Sequence, residues 1–97
     1  SKEYGSRATK KKIYLGPTRN YFSKIKVGEF EIQTGSLKVG DEFLITGPTT
    51  GVIQGKVKEL RFDEKPVEEV VKGQIISMPV DEKVRRADKL FKIVDKE

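Results

Sequence analysis

Ninety-seven residues are one domain's worth of chain, enough to close a single core but too few to add a roomy catalytic cleft. Charged residues make up 36% and hydrophobic ones 35%, so no run approaches the roughly 20 apolar residues of a membrane-spanning helix, and no signal-peptide pattern opens the chain. The sequence has neither cysteine nor histidine, which removes disulfides, thiol catalysis, Ser-His nucleophiles and the usual zinc sites from consideration.

The composition favours sheet. Eight isoleucines and ten valines stand against five leucines and two alanines. Branched side chains lose rotamer freedom in a helix and pack well on a pleated surface. The net charge of +5 is uneven. Lys2, Arg7, Lys10, Lys11 and Lys12 against Glu3 give residues 1–12 a net of +4, and the remainder is nearly balanced. Residues 1–12 therefore read as a flexible basic leader or linker, and residues 13–97 as the folded domain. The opening Ser1, with no methionine, is what an excised or processed fragment would show.

From Ile13 the pattern becomes strand-like: Ile13 and Leu15 alternate with Tyr14, and Gly16-Pro17 is expected to break the run. Tyr21-Phe22 follows, an adjacent aromatic pair of which one ring must face outward on a strand. Ile25 and Val27 alternate in one phase, Phe30 and Ile32 in the other, and the slip at Gly28-Glu29 predicts a β-bulge. Leu37 and Val39 lead to a Gly40-Asp41 turn, then Phe43, Leu44 and Ile45 form a strand. Residues 46–51, Thr-Gly-Pro-Thr-Thr-Gly, read as a tight hairpin loop. Two glycines and two threonines resemble a phosphate cradle, but Val52 and Ile53 follow where a Walker-type loop needs lysine and a helix. Residues 52–63 read as the longest strand, with a second bulge near Lys58-Glu59. Residues 66–72 suggest a strand end and one helical turn, and Ile75, Ile76, Met78 and Val80 a further strand. At the end, Val84, Ala87, Leu90, Phe91 and Val94 fit one helical face, while a turn at 85–88 and a strand over 90–94 fit equally well.

Bulges bend a small sheet until it closes on itself, so the expected fold is all-β, a small closed barrel of about six strands. No cofactor and no metal are expected, and the carboxylate pairs, such as Glu68-Glu69 and Asp81-Glu82, read as solvated surface. The candidate contact surface is Asn20, Tyr21 and Phe22 together with the loop residues Gly47, Pro48, Thr49 and Thr50. The alternative is an RNA-binding stripe of Lys10, Lys11, Lys12, Arg85 and Arg86, with Lys83 nearby and aromatic rings for base stacking.

Two resemblances attach to these segments. Gly35-Ser36-Leu37-Lys38-Val39-Gly40-Asp41-Glu42-Phe43-Leu44-Ile45-Thr46-Gly47 resembles the second, β-barrel domain of translational GTPases such as elongation factor Tu. More closely, Asn20-Tyr21-Phe22-Ser23-Lys24-Ile25, Ile45-Thr46-Gly47-Pro48-Thr49-Thr50-Gly51-Val52-Ile53 and Lys83-Val84-Arg85-Arg86 look like the C-terminal domain of peptidase family U thirty-two, the collagenase-like peptidases. That resemblance implies a barrel following a larger catalytic domain, which would be its partner, and no catalytic residue on this chain. It implies a non-catalytic accessory role, docking on that domain or helping present a protein or peptide substrate. Some relatives act in RNA hydroxylation; the alternative, which the translation-factor resemblance implies, is a stand-alone translation-factor-like module that binds RNA or the ribosome, and no membrane partner and a cytoplasmic location are expected. The peptidase-family resemblance also implies a strand over 90–94. Gln74 and Ala87 depart from the aspartate and glycine expected at two turns, and Ala87 cannot take a positive φ cheaply.

Overall fold

The computed structural model describes residues 10–95. Ten strands and no helix occupy them: β1 (Lys10–Phe22), β2 (Val27–Glu31), β3 (Ser36–Lys38), β4 (Glu42–Gly47), β5 (Gly51–Lys56), β6 (Leu60–Phe62), β7 (Lys65–Val67), β8 (Glu69–Val71), β9 (Ile75–Pro79) and β10 (Lys89–Asp95). Eight of them form one ladder in the order β5-β4-β10-β1-β2-β9-β6-β7, and β3 with β8 forms a separate ribbon. The all-β expectation holds, and so does the strand at the C-terminus. The closed barrel of about six strands does not: the ladder ends at β5 and β7, which do not pair, and ten strands stand where about six were expected.

One strand accounts for most of the bending. The first half of β1 pairs with β10 and the second half with β2. The register slips between Tyr14 and Gly16, leaving Leu15 as an extra residue, and again between Thr18 and Asn20, leaving Arg19. Gly16-Pro17 thus lies inside a strand rather than ending one. Leu15 turns fully into the core, and its carbonyl accepts from the amides of Gln33 (2.7 Å) and Thr34 (3.2 Å) instead of continuing the ladder. A side chain at Gly16 would drive its Cβ to 1.7 Å from the carbonyl oxygen of Glu31, so only glycine lets the two backbones approach this closely.

The other departures from expectation have similar causes. No bulge sits at Gly28-Glu29; β2 pairs with β9 without a break, and the irregularity is on β1 at Arg19. The phase change arises because Ile25 and Val27 belong to the outer face, while Gly28, Phe30 and Ile32 face inward. The long strand expected over 52–63 is two strands, β5 and β6. Val57 between them is buried and exchanges backbone hydrogen bonds with the Gly40-Asp41 turn. The expected helical turn within 66–72 is replaced by β7 and β8, with Val70, paired with Leu37 of β3, buried in the core and Val71 exposed. The leader assigned to residues 1–12 lies mostly outside the described residues; its last three, Lys10, Lys11 and Lys12, are in β1.

Fifteen buried apolar side chains make one core, with contributions from every strand but β7, whose Val67 packs against it half-buried. Burial of each such side chain contributes roughly 1.5–3 kcal/mol. Strands from both ends of the ladder thus enclose a single cluster even though the sheet stays open. No helix among the described residues is long and apolar enough to cross a membrane.

Candidate functional site

The bulge at Arg19 has a local consequence. An extra residue breaks the in-out alternation, so Arg19 and Asn20 are consecutive and both exposed. Thr18, just before them, is buried and stitched to the 85–88 turn: its amide donates to the carbonyl of Asp88 (2.7 Å), and its carbonyl accepts from the amide of Ala87 (2.8 Å). Buried Val84 anchors the segment ahead of that turn. The result is a cleft lined by Arg19, Asn20, Tyr21, Lys83, Val84, Arg85 and Arg86.

The 85–88 turn is closed by the Asp88 amide donating to the Arg85 carbonyl (3.0 Å), and Ala87 sits at φ 76°. Alanine therefore does adopt the left-handed conformation here, at a cost of about 1–2 kcal/mol. Asp88 compensates: its side chain is buried, and Oδ2 accepts both from the Arg85 amide (2.8 Å) and from the Thr50 hydroxyl. Thr50 belongs to the β4–β5 hairpin, whose ends meet at Gly47 and Gly51 with Pro48, Thr49 and Thr50 between them. Asp88 therefore ties that hairpin to the turn that carries Arg85 and Arg86.

Four cationic side chains border the cleft. Arg19 is 3.5 Å from Glu31, an exposed pair of the kind that contributes about 1 kcal/mol or less. Among the described residues no carboxylate lies within salt-bridge distance of Lys83, Arg85 or Arg86. Asn20 accepts from the Tyr21 amide through Oδ1 (2.8 Å), which leaves its amide hydrogens for a ligand. Tyr21 is half-buried against the core and its hydroxyl donates to the Val80 carbonyl (2.8 Å). Burial first, and the Asp81 charge second, raise its phenol above the ordinary value. Such an arrangement suits recognition of an anion; no group of His, Asp or Glu side chains among the described residues is arranged to hold a metal ion.

The candidate residues of the sequence therefore divide. Asn20 and Tyr21 meet Arg85 and Arg86 in the cleft, and Thr50 supports them through Asp88. Pro48 and Thr49 are exposed at the hairpin tip, beside a shallow depression that Gly47 and Pro48 help line. Phe22 is the outward ring of the aromatic pair and lies on the other face of β1. Lys10, Lys11 and Lys12 pair along β10 with Asp95, Val94 and Ile93, at the far end of β1 from Thr18, so they do not join Arg85 and Arg86 in one stripe. Lys10 is bound to Asp95 (3.0 Å), whose hydrogen bond raises its ammonium pKa, and Lys12 lies over the Phe91 ring (4.8 Å to the centroid). The residue that sequence reasoning missed is Arg19. Only the backbone pairing of Thr18 with residues 87 and 88 brings it beside the C-terminal basic cluster, and no local pattern encodes that contact.

No protein-family model matches the chain. Two collagenases of Porphyromonas gingivalis are 55% and 53% identical over 94 residues, covering 97% of this chain but 23% and 26% of those proteins. An uncharacterized protease of Methanocaldococcus jannaschii is 33% identical over 87 residues, 90% of this chain and 21% of that one. The chain thus spans about a quarter of the length of the curated relatives it matches. Among solved structures, the C-terminal domain of a U32 peptidase from Geobacillus thermoleovorans superposes with a TM-score of 0.76 at 13% identity, over 82% of this chain and 91% of that one. The fold is that of a U32 peptidase C-terminal domain. The homologues are collagenase-like proteins, as the resemblance of the Asn20-to-Ile25, Ile45-to-Ile53 and Lys83-to-Arg86 segments implies.

Proposed function

We propose that the chain is a non-catalytic accessory domain of a collagenase-like peptidase protein, docking on the catalytic part or helping to present a protein or peptide substrate to it. One observation carries this reading: 97% of the chain aligns, at 55% identity, with less than a quarter of a protein named a collagenase. These 97 residues hold neither the histidine nor the cysteine on which most nucleophile and zinc chemistry depends. The chain's contribution is positional, through a rigid sheet that holds contact residues in place. The test is gelatin hydrolysis. The purified chain should show none, and deleting the matching region of the P. gingivalis collagenase should lower hydrolysis, with this chain restoring it when substituted there. Hydrolysis by the chain alone would end the proposal.

The cationic cleft favours a second reading, a module that binds RNA. Four cations on phosphates of a single strand would give a log–log salt slope of about −2.8. Binding of an oligouridylate that weakens with that slope, and is lost in Arg85→Glu, would support it. An absence of binding at low salt would remove it.

A further inference from the structure

Phe22, Ile25 and Ile75 are apolar side chains 41, 67 and 43% exposed, and with half-buried Val27 they line a single groove on the outer face of the sheet, away from the core. The groove is floored by neighbouring strands: Phe22 pairs with Val27, Glu31 with Ile75, and Ser77 of β9 with both Glu29 and Arg61. Ile25 stands in the turn of residues 23–26 joining β1 to β2, a place where polar side chains are the rule. A contiguous exposed apolar group with an aromatic anchor is the composition of a contact surface rather than of a solvated one.

The backbone around it is held in an uncommon conformation. Lys26 at φ 55°, and Asp63 and Glu64 at 57° and 65°, are non-glycine residues in the left-handed region, in the two turns that border the groove. The first turn is fixed by the Lys26 carbonyl, which accepts from the Val80 amide at 2.9 Å. Asp63 and Glu64 are the two loop residues of the tight β6–β7 hairpin, where a positive φ at both is the favoured geometry, so these turns fix the shape of the groove's border.

Charge names the occupant. Glu29, Asp63 and Glu64 lie on the rim, with no cation within salt-bridge distance among the described residues. Among the residues that line the groove the one cation is Arg61, already held by Glu59 at 2.9 Å; Lys24 and Lys26 stand in the bordering turn without lining it. An apolar floor under an acidic rim repels a phosphate backbone and complements lysine and arginine.

We propose that this groove is where the domain docks, and that it receives a segment of the remaining polypeptide of a collagenase-like protein that presents apolar side chains flanked by lysine or arginine. The inference rests on the accessory-domain reading and locates the contact. Because Phe22 and Tyr21 lie on opposite faces of β1, docking here leaves the cationic cleft open to a ligand.

The experiment replaces the matching region of the P. gingivalis collagenase with this chain and follows amide hydrogen exchange in residues 22–27 and 61–64, against the isolated chain. Docking slows exchange by about tenfold or more. Phe22→Ser with Ile25→Ser, and separately Glu29→Lys with Glu64→Lys, return it to the isolated rate. Urea midpoints of the isolated variants establish that they still fold. Equal exchange in both settings overturns the proposal. A dimer of the isolated chain that Ile25→Ser dissociates assigns the groove to a second copy and overturns it equally. Gelatin hydrolysis, measured with and without the domain, separates the two ideas. If removing the domain changes nothing while the groove is protected, the accessory reading fails and the docking site stands. If hydrolysis is lost with the groove unprotected, only the docking site fails.

Discussion

The Thr50 hydroxyl donates to Asp88 Oδ2, joining two segments 38 residues apart in sequence, and the same oxygen accepts the Arg85 amide. With Asp88 buried, this carboxylate couples the β4–β5 hairpin to the basic turn through side chains, beside the backbone pairing of Lys89 with Thr46. Asp88→Ala leaves a hydroxyl and an amide without their acceptor and should cost about 1–3 kcal/mol, measured as a shift of the urea midpoint at unchanged slope. Asp88→Asn retains a carbonyl acceptor and should cost less. The amide resonances of Gly47 and Gly51 should move together with those of Arg85 and Arg86 in both variants. A change confined to the turn would mean that the coupling does not exist.

Ala87 gives a prediction of opposite sign. Its φ of 76° places a Cβ in the region where it crowds the following carbonyl, at a cost of about 1–2 kcal/mol. Glycine removes that cost but gains freedom in the unfolded chain, so Ala87→Gly should stabilise by about 0.5–1 kcal/mol. The test is a higher denaturation midpoint. A lower one would mean that the turn relaxes away from this conformation.

Ala87 also shows how far the sequence could be read. The strand-like alternation of β-branched residues identified the fold class, and inward residues such as Phe30, Ile45 and Met78 are the ones the pattern marks. Turn chemistry likewise marked the Gly40-Asp41 and 46–51 connections. What could not be read was the partner of each strand. Gly16-Pro17 looks like a terminator locally, yet it is where β1 exchanges β10 for β2, and that depends on the Glu31 backbone arriving from another strand. Val67, Val70 and Val71 fit a helical spacing as well as a strand, because three residues cannot distinguish the two periods. At the site, Asn20, Tyr21, Arg85 and Arg86 were recognisable as candidates by type, but their meeting depends on hydrogen bonds between Thr18 and residues almost 70 positions later. The open edge at β5 was equally invisible, since alternation says nothing about closure.

Tyr21 supplies a pH dependence. Its phenol is raised above the ordinary value of 10.0, chiefly by burial and then by the Asp81 charge. A raised pKa means that the folded state favours the neutral phenol. The associated stability is fully present below pH 10 and is lost as pH rises through the folded value. Tyr21→Phe removes the hydrogen bond to Val80 and should cost about 1 kcal/mol at neutral pH. The gap between the two proteins should narrow above about pH 10, because only the native protein has this phenol to ionise. Parallel stability curves up to pH 11.5 would refute the assignment.

Three glycines test whether the close approaches of the fold are rigid. At Gly16 a Cβ would stand 1.7 Å from the Glu31 carbonyl oxygen, so accommodation requires two strands to separate at the point where β1 changes partner. At Gly47 the obstacle is the Asp88 side chain, 2.0 Å away, which can move only by giving up Thr50 or Arg85. At Gly55 it is the Phe43 ring at 3.2 Å, which can shift by the few tenths of an ångström required. Alanine substitutions should therefore rank Gly16 above Gly47 above Gly55, costing roughly 3 kcal/mol or more, about 2 kcal/mol and under about 1 kcal/mol. Urea denaturation gives the order directly. If Gly16→Ala cost no more than Gly55→Ala, the bend in β1 would not depend on that contact, and the placement of Arg19 beside Arg85 would need another cause.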